Sequence, residues 1–317
     1  MLDAPGLGKS ASLIILAEEL YNQGKIEHCL IVCGINTLKR NWQKEIQKFS
    51  RLSSRIIGQY ISSKGKVYTR SVKDRVEELK NPLEEFFIII NVESLRDDDI
   101  VKAINKGKNK FDMIVVDEIH TMKSPTSSQG KNLLKINKAK YQVGATGTLL
   151  LNDPLDTYMA LKWIGAEHST LTKFKYYYCE YGGPFGNMLV GFKNMDLLKY
   201  QLEQVSLRRK KDLLNLPDKN IIDEFVDMET AQSNFYENIK KGIVDQVDKV
   251  KMSTANLLAM VIRLRQAAEC PNVLTTENIP SAKIERCIDL AKQILSDPDE
   301  KVVIFSCFKE SINFIYK

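Results

Sequence analysis

The chain has 317 residues, 44% hydrophobic and 27% charged, with a formal net charge of +6. That is an ordinary globular balance, enough for one large domain or two ordinary ones, and burying a sizeable core is no difficulty. The mild excess of lysine and arginine permits a nucleic-acid partner without requiring one. Six cysteines (Cys29, Cys33, Cys179, Cys270, Cys287, Cys307) form no C-x-x-C pair, and with three histidines they argue against a zinc site. No signal peptide is visible and no apolar run is long enough to span a bilayer. A reduced, intracellular setting without a membrane partner is expected; oligomeric state stays open.

In chain order, the first feature is Gly6-Leu7-Gly8-Lys9-Ser10, leading into a helical pattern over 10–23. A glycine-rich turn at a helix start offers backbone N–H groups and the positive end of a dipole to phosphate oxygens. Lysine neutralises the β- and γ-phosphates, and the hydroxyl after it holds Mg²⁺. The pattern G-x-x-x-x-G-K-[ST] would put glycine where Asp3 stands, so a chance match stays open on these residues alone. Only Met1 and Leu2 precede Asp3, and the loop is expected to be poorly anchored.

Next come a buried strand over 28–34 (HCLIVCG) and a helix over 37–49, in which Leu38, Trp42, Ile46 and Phe49 form one apolar stripe. The stripe marks Trp42 as a core residue. Further strands are predicted at 86–91 (FFIIIN), 111–118 (FDMIVVDE) and 141–148 (YQVGATGT). Strands alternating with helices predict an α/β fold, a parallel sheet with helices on both faces. Asp117 and Glu118 follow four apolar residues. Two adjacent carboxylates are costly inside a strand but not at its end, facing a loop crevice. There one can hold Mg²⁺ and the other orient or deprotonate water, as nucleotide hydrolysis needs. The small and hydroxyl residues of 144–150 (GATGTLL) suit a sensor segment, or equally a turn.

Beyond about residue 155 the pattern turns aromatic, then mainly helical. Phe174, Tyr176, Tyr177 and Tyr178 are expected to pack a helical insert onto the first domain. A β-like stretch, IIDEFVDM, precedes a long helical tract. A helix over 281–295 then leads into a predicted strand, KVVIFSCF.

GLGKS, LIVCGINTLKRNWQKEIQKF, VVDEIHTMKS and ATGTLLLND stand in the order of motifs I, Ia, II and III of superfamily 2 helicases, and resemble specifically the Snf2 (SWI2/SNF2) ATPases. That family reads D-E-M-G-L-G-K-T at motif I, which accounts for Asp3. LRRKKDLLNLPDKN, VIRLRQAAECPNVL and KVVIFSCF resemble its downstream signatures, so the likeness spans essentially the whole chain. The YYYCEYGG…GFKN insert resembles the annealing-helicase-like branch. The resemblance implies a P-loop RecA-like lobe over 1–165 and a helical insertion with signature linker over 166–220. It implies a second insertion over 221–280 and the beginning of a second RecA-like lobe over 281–317.

It further implies ATP and Mg²⁺ as cofactors and double-stranded DNA as partner. Gly6, Leu7, Gly8, Lys9 and Ser10 would bind the nucleotide. Lys9, Asp117 and Glu118 would be catalytic, and Ser10 and Asp117 would hold the metal. His120, Thr146, Gly147 and Thr148 would couple nucleotide state to lobe geometry, while Gly34, Thr37, Lys123 and Ser124 would lie along the DNA backbone. For Lys123 a plain exposed lysine is the competing reading. The cluster Arg208, Arg209, Lys210 and Lys211 is expected to have an interlobe structural role. The family's adenine-reading segment would lie upstream and its arginine finger beyond Lys317, so the chain is expected to be truncated at both ends and to turn ATP over poorly. Another superfamily 2 helicase or restriction-type motor, and a non-catalytic nucleic-acid-binding module with a relic nucleotide site, are the alternatives.

Overall fold

The computed structural model describes every residue except 35, 63–64, 137–138, 148–152, 215–216, 250–253 and 317. The chain divides into two compact units, Met1–Leu216 and Pro217–Lys317.

The first unit runs α1 (Lys9–Asn22), β1 (His28–Cys33), α2 (Asn36–Phe49), β2 (Ser54–Ile56), β3 (Gln59–Ile61), β4 (Val67–Thr69), α3 (Val72–Lys80), β5 (Phe87–Asn91), α4 (Asp98–Lys106), β6 (Phe111–Asp117), α5 (Ser128–Lys135), β7 (Tyr141–Ala145), α6 (Leu155–Trp163), α7 (Leu171–Tyr178), β8 (Cys179–Gly182), β9 (Met188–Phe192) and α8 (Met195–Val205). Five strands form one parallel sheet in the order β2-β5-β1-β6-β7. Strands and helices alternate, so every crossover returns the chain to the same end, and all five strands finish on one edge.

Alternate residues of each strand feed two separate cores. Leu30, Val32, Ile88, Ile90, Ile114 and Val116 pack with α3, α4, α5 and α6 on one face. Cys29, Ile31, Cys33, Phe87, Ile89, Met113 and Val115 pack with α1 and α2 on the other. Cover on both faces is why these strands read as unbroken apolar runs. The α2 stripe behaves as its spacing requires, with Trp42 and Ile46 buried and Leu38 and Phe49 at the margin.

Met1 and Leu2 are better held than their number suggests. The Met1 ammonium donates to Gly144 O at 2.7 Å, and Thr146 N donates to Met1 O at 3.0 Å. On the other side, Leu2 N donates to Leu207 O at 2.7 Å and Ala4 N to Arg209 O at 3.1 Å. The segment before the glycine turn thus lies between β7 and residues 207–209, hydrogen-bonded on both sides. The expectation of a poorly anchored loop is corrected by that pairing.

Of the aromatic cluster, Phe174 and Tyr178 are buried with Tyr158, ring centroids 4.6–5.1 Å apart. Tyr176 and Tyr177 face solvent instead, because α7 is a surface helix and only one side meets the core.

The second unit holds α9 (Thr230–Lys249), α10 (Thr254–Glu269), α11 (Ala282–Ile294) and α12 (Lys309–Tyr316). Buried Gln232 staples it. Its amide donates to Ala267 O and Ala268 O at 3.2 Å, and its carbonyl accepts from Ala282 N at 3.1 Å. The stretch KVVIFSCF forms no sheet, and Val303 and Phe305 are exposed. A strand needs a neighbour to complete its ladder, and none lies among the described residues of this unit. IIDEFVDM is unpaired for the same reason.

Candidate nucleotide-binding site

Gly6 and Gly8 adopt φ of +87° and +75°, the left-handed region that glycine enters without a Cβ clash. Gly8 is the residue before α1 and no side chain caps that helix, so its first-turn N–H groups stay open to an anion. Lys9 Nζ donates to Asp3 O at 3.0 Å, folded back over the turn.

Asp3 itself is fully buried. One carboxylate oxygen accepts from Arg209 N and the other from Arg209 Nε, both at 2.9 Å, and the Arg209 Nη2 group closes a fork. Arg209 Nη2 also reaches Ser12 Oγ at 3.4 Å. An isolated buried carboxylate would be costly, and what makes it tenable is that one oxygen takes both guanidinium donors while the other takes the Arg209 backbone N–H. The fork places Arg209 within the first unit, on the phosphate-loop turn. The expected interlobe role of its cluster is untouched by that contact.

At the end of β6, Asp117 closes a run of six buried residues. One Asp117 oxygen accepts from Trp42 Nε1 at 2.9 Å and the other from Glu118 N at 3.0 Å. Burial pushes the Asp117 carboxyl above its ordinary value, with the Trp42 hydrogen bond opposing and Glu118 adding to the rise. Lys9 is near enough to act in the opposite sense.

Glu118 has φ 48° and ψ 47°, uncommon for a residue with a side chain. Thr146 Oγ1 donates to Glu118 Oε2 at 3.2 Å, and His120 Nδ1 lies 2.7 Å from Thr146 Oγ1 and 3.1 Å from Glu118 Oε2. With the Thr146 hydroxyl proton on Glu118, the consistent assignment has His120 Nδ1–H donating to Thr146. The end of β7 is thereby wired to the Asp117–Glu118 turn. A Cβ on Gly147 would stand 3.2 Å from the Pro5 ring, so the same segment also abuts the glycine turn.

A model of the SNF2-related domain matches residues 1–273. The chain belongs to the SNF2-related family. It is 23% identical to an uncharacterized ATP-dependent helicase of Mycoplasma pneumoniae, over 99% of this chain and 28% of the relative. It is 25% identical to the ATP-dependent helicase FUN30 of Saccharomyces cerevisiae, over 94% and 27% respectively. The chain therefore spans less than a third of these relatives' length. Among solved structures, the Sulfolobus solfataricus SWI2/SNF2 ATPase core in complex with double-stranded DNA is similar, with TM-score 0.53 and 22% identity, over 99% of this chain and 63% of that one. The likeness extends to the fold, a parallel sheet with flanking helices.

In this SNF2-related chain, Gly6 to Ser10, Asp117, Glu118, His120, Thr146 and Gly147 meet at one end of the sheet, while Thr148 lies outside the described residues. Gly34 directly follows β1 on the same edge, and Thr37 is in the first turn of α2. Lys123 is ion-paired with Asp156 of α6 at 3.0 Å, which favours a local structural part over a backbone contact. Ser124 is exposed, with its hydroxyl 2.9 Å from Thr126 Oγ1.

Two partners were not legible in the sequence. Trp42 is a core residue as its stripe says, yet its N–H serves Asp117. Asp3 and Arg209 pair across 206 positions. The only local signal was the oddity of an acid before GLGK and of four consecutive basic residues at 208–211.

Proposed function

We propose that the chain is the ATP-binding core of a DNA-dependent ATPase that translocates on double-stranded DNA. The observation that carries this is the convergence of the glycine turn, the Asp117–Glu118 turn and Thr146 at one sheet edge, tied by the His120–Thr146–Glu118 hydrogen bonds.

The residues fit a nucleotide with Mg²⁺. Each Asp117 oxygen accepts one hydrogen bond and keeps a further lone pair, and no cation among the described residues is ion-paired with it. Mg²⁺ uses one or two protein oxygens beside phosphates and water, so Asp117 and the Ser10 hydroxyl are a sufficient set. Mg²⁺, when bound, neutralises phosphate charge and orients the phosphoryl group. The α1 N-terminus and Lys9 bind the β- and γ-phosphates; Lys9 exchanges the Asp3 carbonyl for a phosphate oxygen. Glu118 orients the attacking water, its carboxylate aimed by Thr146, and His120 carries the position of β7 to it. Gly34 and the start of α2 lie at this edge, where backbone groups suit phosphate tracking without base readout. An intracellular place, where ATP and DNA meet, follows from this reading.

Equilibrium binding of ATP with Mg²⁺ tests it, together with the effect of duplex DNA, single strands and RNA on hydrolysis by the full-length protein. Lys9→Ala is expected to abolish binding, and Glu118→Gln to retain binding while removing turnover. Absence of binding in the parent leaves a relic site. Stimulation by RNA in preference to duplex DNA points to another superfamily 2 motor.

A further inference from the structure

The β3–β4 hairpin is unaccounted for by the nucleotide site. It rises directly from the end of edge strand β2, on the same sheet edge as Gly34 and Asp117. In the sheet order, β2 is two strands from β1, about 10 Å at the usual spacing. That is about three base steps along a duplex strand.

The hairpin is firmly built. Ser62 N donates to Lys66 O and Gly65 N to Ser62 O, both at 2.9 Å, closing its turn. At its root, Arg70 N donates to Gly58 O at 2.8 Å and Gly58 N to Glu78 Oε2 at 3.0 Å. Arg75 packs against the bare Cα of Gly58 and donates to Ser94 Oγ at 3.3 Å.

Its outer surface carries a four-layer stack. Tyr60 and Tyr68 are cross-strand partners with rings 5.2 Å apart and 15° from parallel. The Arg70 guanidinium lies 5.3 Å from the Tyr60 ring centre, and Lys66 Nζ lies 5.6 Å from that of Tyr68. Both distances are within cation–π range. The rings are 44% and 40% exposed. Among the described residues neither Lys66 nor Arg70 has a carboxylate at ion-pair distance, so both cations are held in place yet electrostatically unspent. Lys64, Lys66, Arg70, Lys73 and Arg75 crowd this stretch of sequence against Asp74, whose carboxylate caps α3.

We infer that the β3–β4 hairpin is a duplex DNA contact, with Lys66 and Arg70, at opposite ends of the stack, each meeting a separate backbone phosphate and the paired tyrosines holding both cations in place. The inference deepens the translocase reading and rests on it. The contact reads no base edge, and its ordered cations lose less freedom on binding than mobile lysines would.

Binding of a short fluorescein-labelled duplex to the full chain is measured across a salt series. For Lys66→Ala/Arg70→Ala the slope of log Kd against log salt is expected to flatten by about 2, equally for unrelated sequences. Tyr60→Ala/Tyr68→Ala weakens binding by loosening the cations, and Tyr60→Phe/Tyr68→Phe retains it. All these positions are exposed, and an unchanged melting temperature verifies the fold. A parent that binds duplex with a slope indifferent to Lys66 and Arg70 overturns the hairpin contact and leaves the translocase reading standing. A parent that binds no duplex overturns both. A poly-glutamate peptide bound through Lys66 and Arg70, with duplex binding unchanged in their absence, replaces the DNA contact with an acidic protein partner.

Discussion

FIIIN at 87–91 and VVIF at 302–305 are nearly the same kind of sequence, yet they end in opposite environments. In the first unit Phe87 to Asn91 form β5, buried on both faces and paired with β1 and β2. In the second unit Val303 and Phe305 are 74% and 88% exposed and pair with no strand among the described residues. An apolar β-branched run is therefore only half of a strand; the other half is a neighbour supplied from elsewhere in the chain.

The sharpest way to break that contrast is a matched truncation. Ile89→Ala is expected to cost about 2–5 kcal/mol, since a fully buried side chain leaves a cavity. Val303→Ala is expected to stay within about 0.5 kcal/mol. Urea denaturation measures both. Trp42 and Trp163 both lie in the first unit, so fluorescence reports that unit while far-UV dichroism follows all helices. A comparable cost for Val303→Ala would mean that the run is paired in solution.

Ion pairs sharpen the same contrast at smaller scale. Arg286 and Glu224 in the second unit are 36% and 41% exposed, and Arg286→Ala is expected to change stability by no more than about 1 kcal/mol. Arg209→Ala strips the fork from a fully buried carboxylate and is expected to lower the first unit's urea midpoint far more. Asp3→Asn is expected to cost less than Arg209→Ala, because the guanidinium it leaves behind can turn to water. Equal losses for the two would overturn this asymmetry.

The smallest effect is chemical. Burial pushes the Cys33 thiol up to about 12 and raises Cys29 as well, so both stay neutral thiols near pH 8, where alkylation needs thiolate. Mass spectrometry after brief alkylation should find Cys307, which is exposed, modified first and Cys287 next. Cys29 and Cys33 should react only once the first unit unfolds.

Where periodicity and packing agree, the sequence was a sufficient guide. β1, β5, β6 and β7 lie within their predicted ranges, and the α2 stripe buries Trp42 and Ile46. The turn at Gly6 to Ser10 and the Asp117–Glu118 end of β6 were legible because local backbone needs dictate glycine in one and a strand terminus in the other. What was illegible depends on distant partners. Nothing near Trp42 says that its N–H meets a carboxylate 75 positions away, and nothing near Asp3 announces Arg209. KVVIFSCF failed for the converse reason: its composition promised a strand, and a strand is a relation between segments.

The backbone of Glu118 carries a last consequence. Asparagine or glycine would occupy φ 48° and ψ 47° more comfortably than a glutamate does. A sequence chosen for durability alone would place one of them there. On the proposed reading glutamate stands there for where it holds an oxygen atom, and thermostabilising searches that score only the fold are expected to discard the residue first.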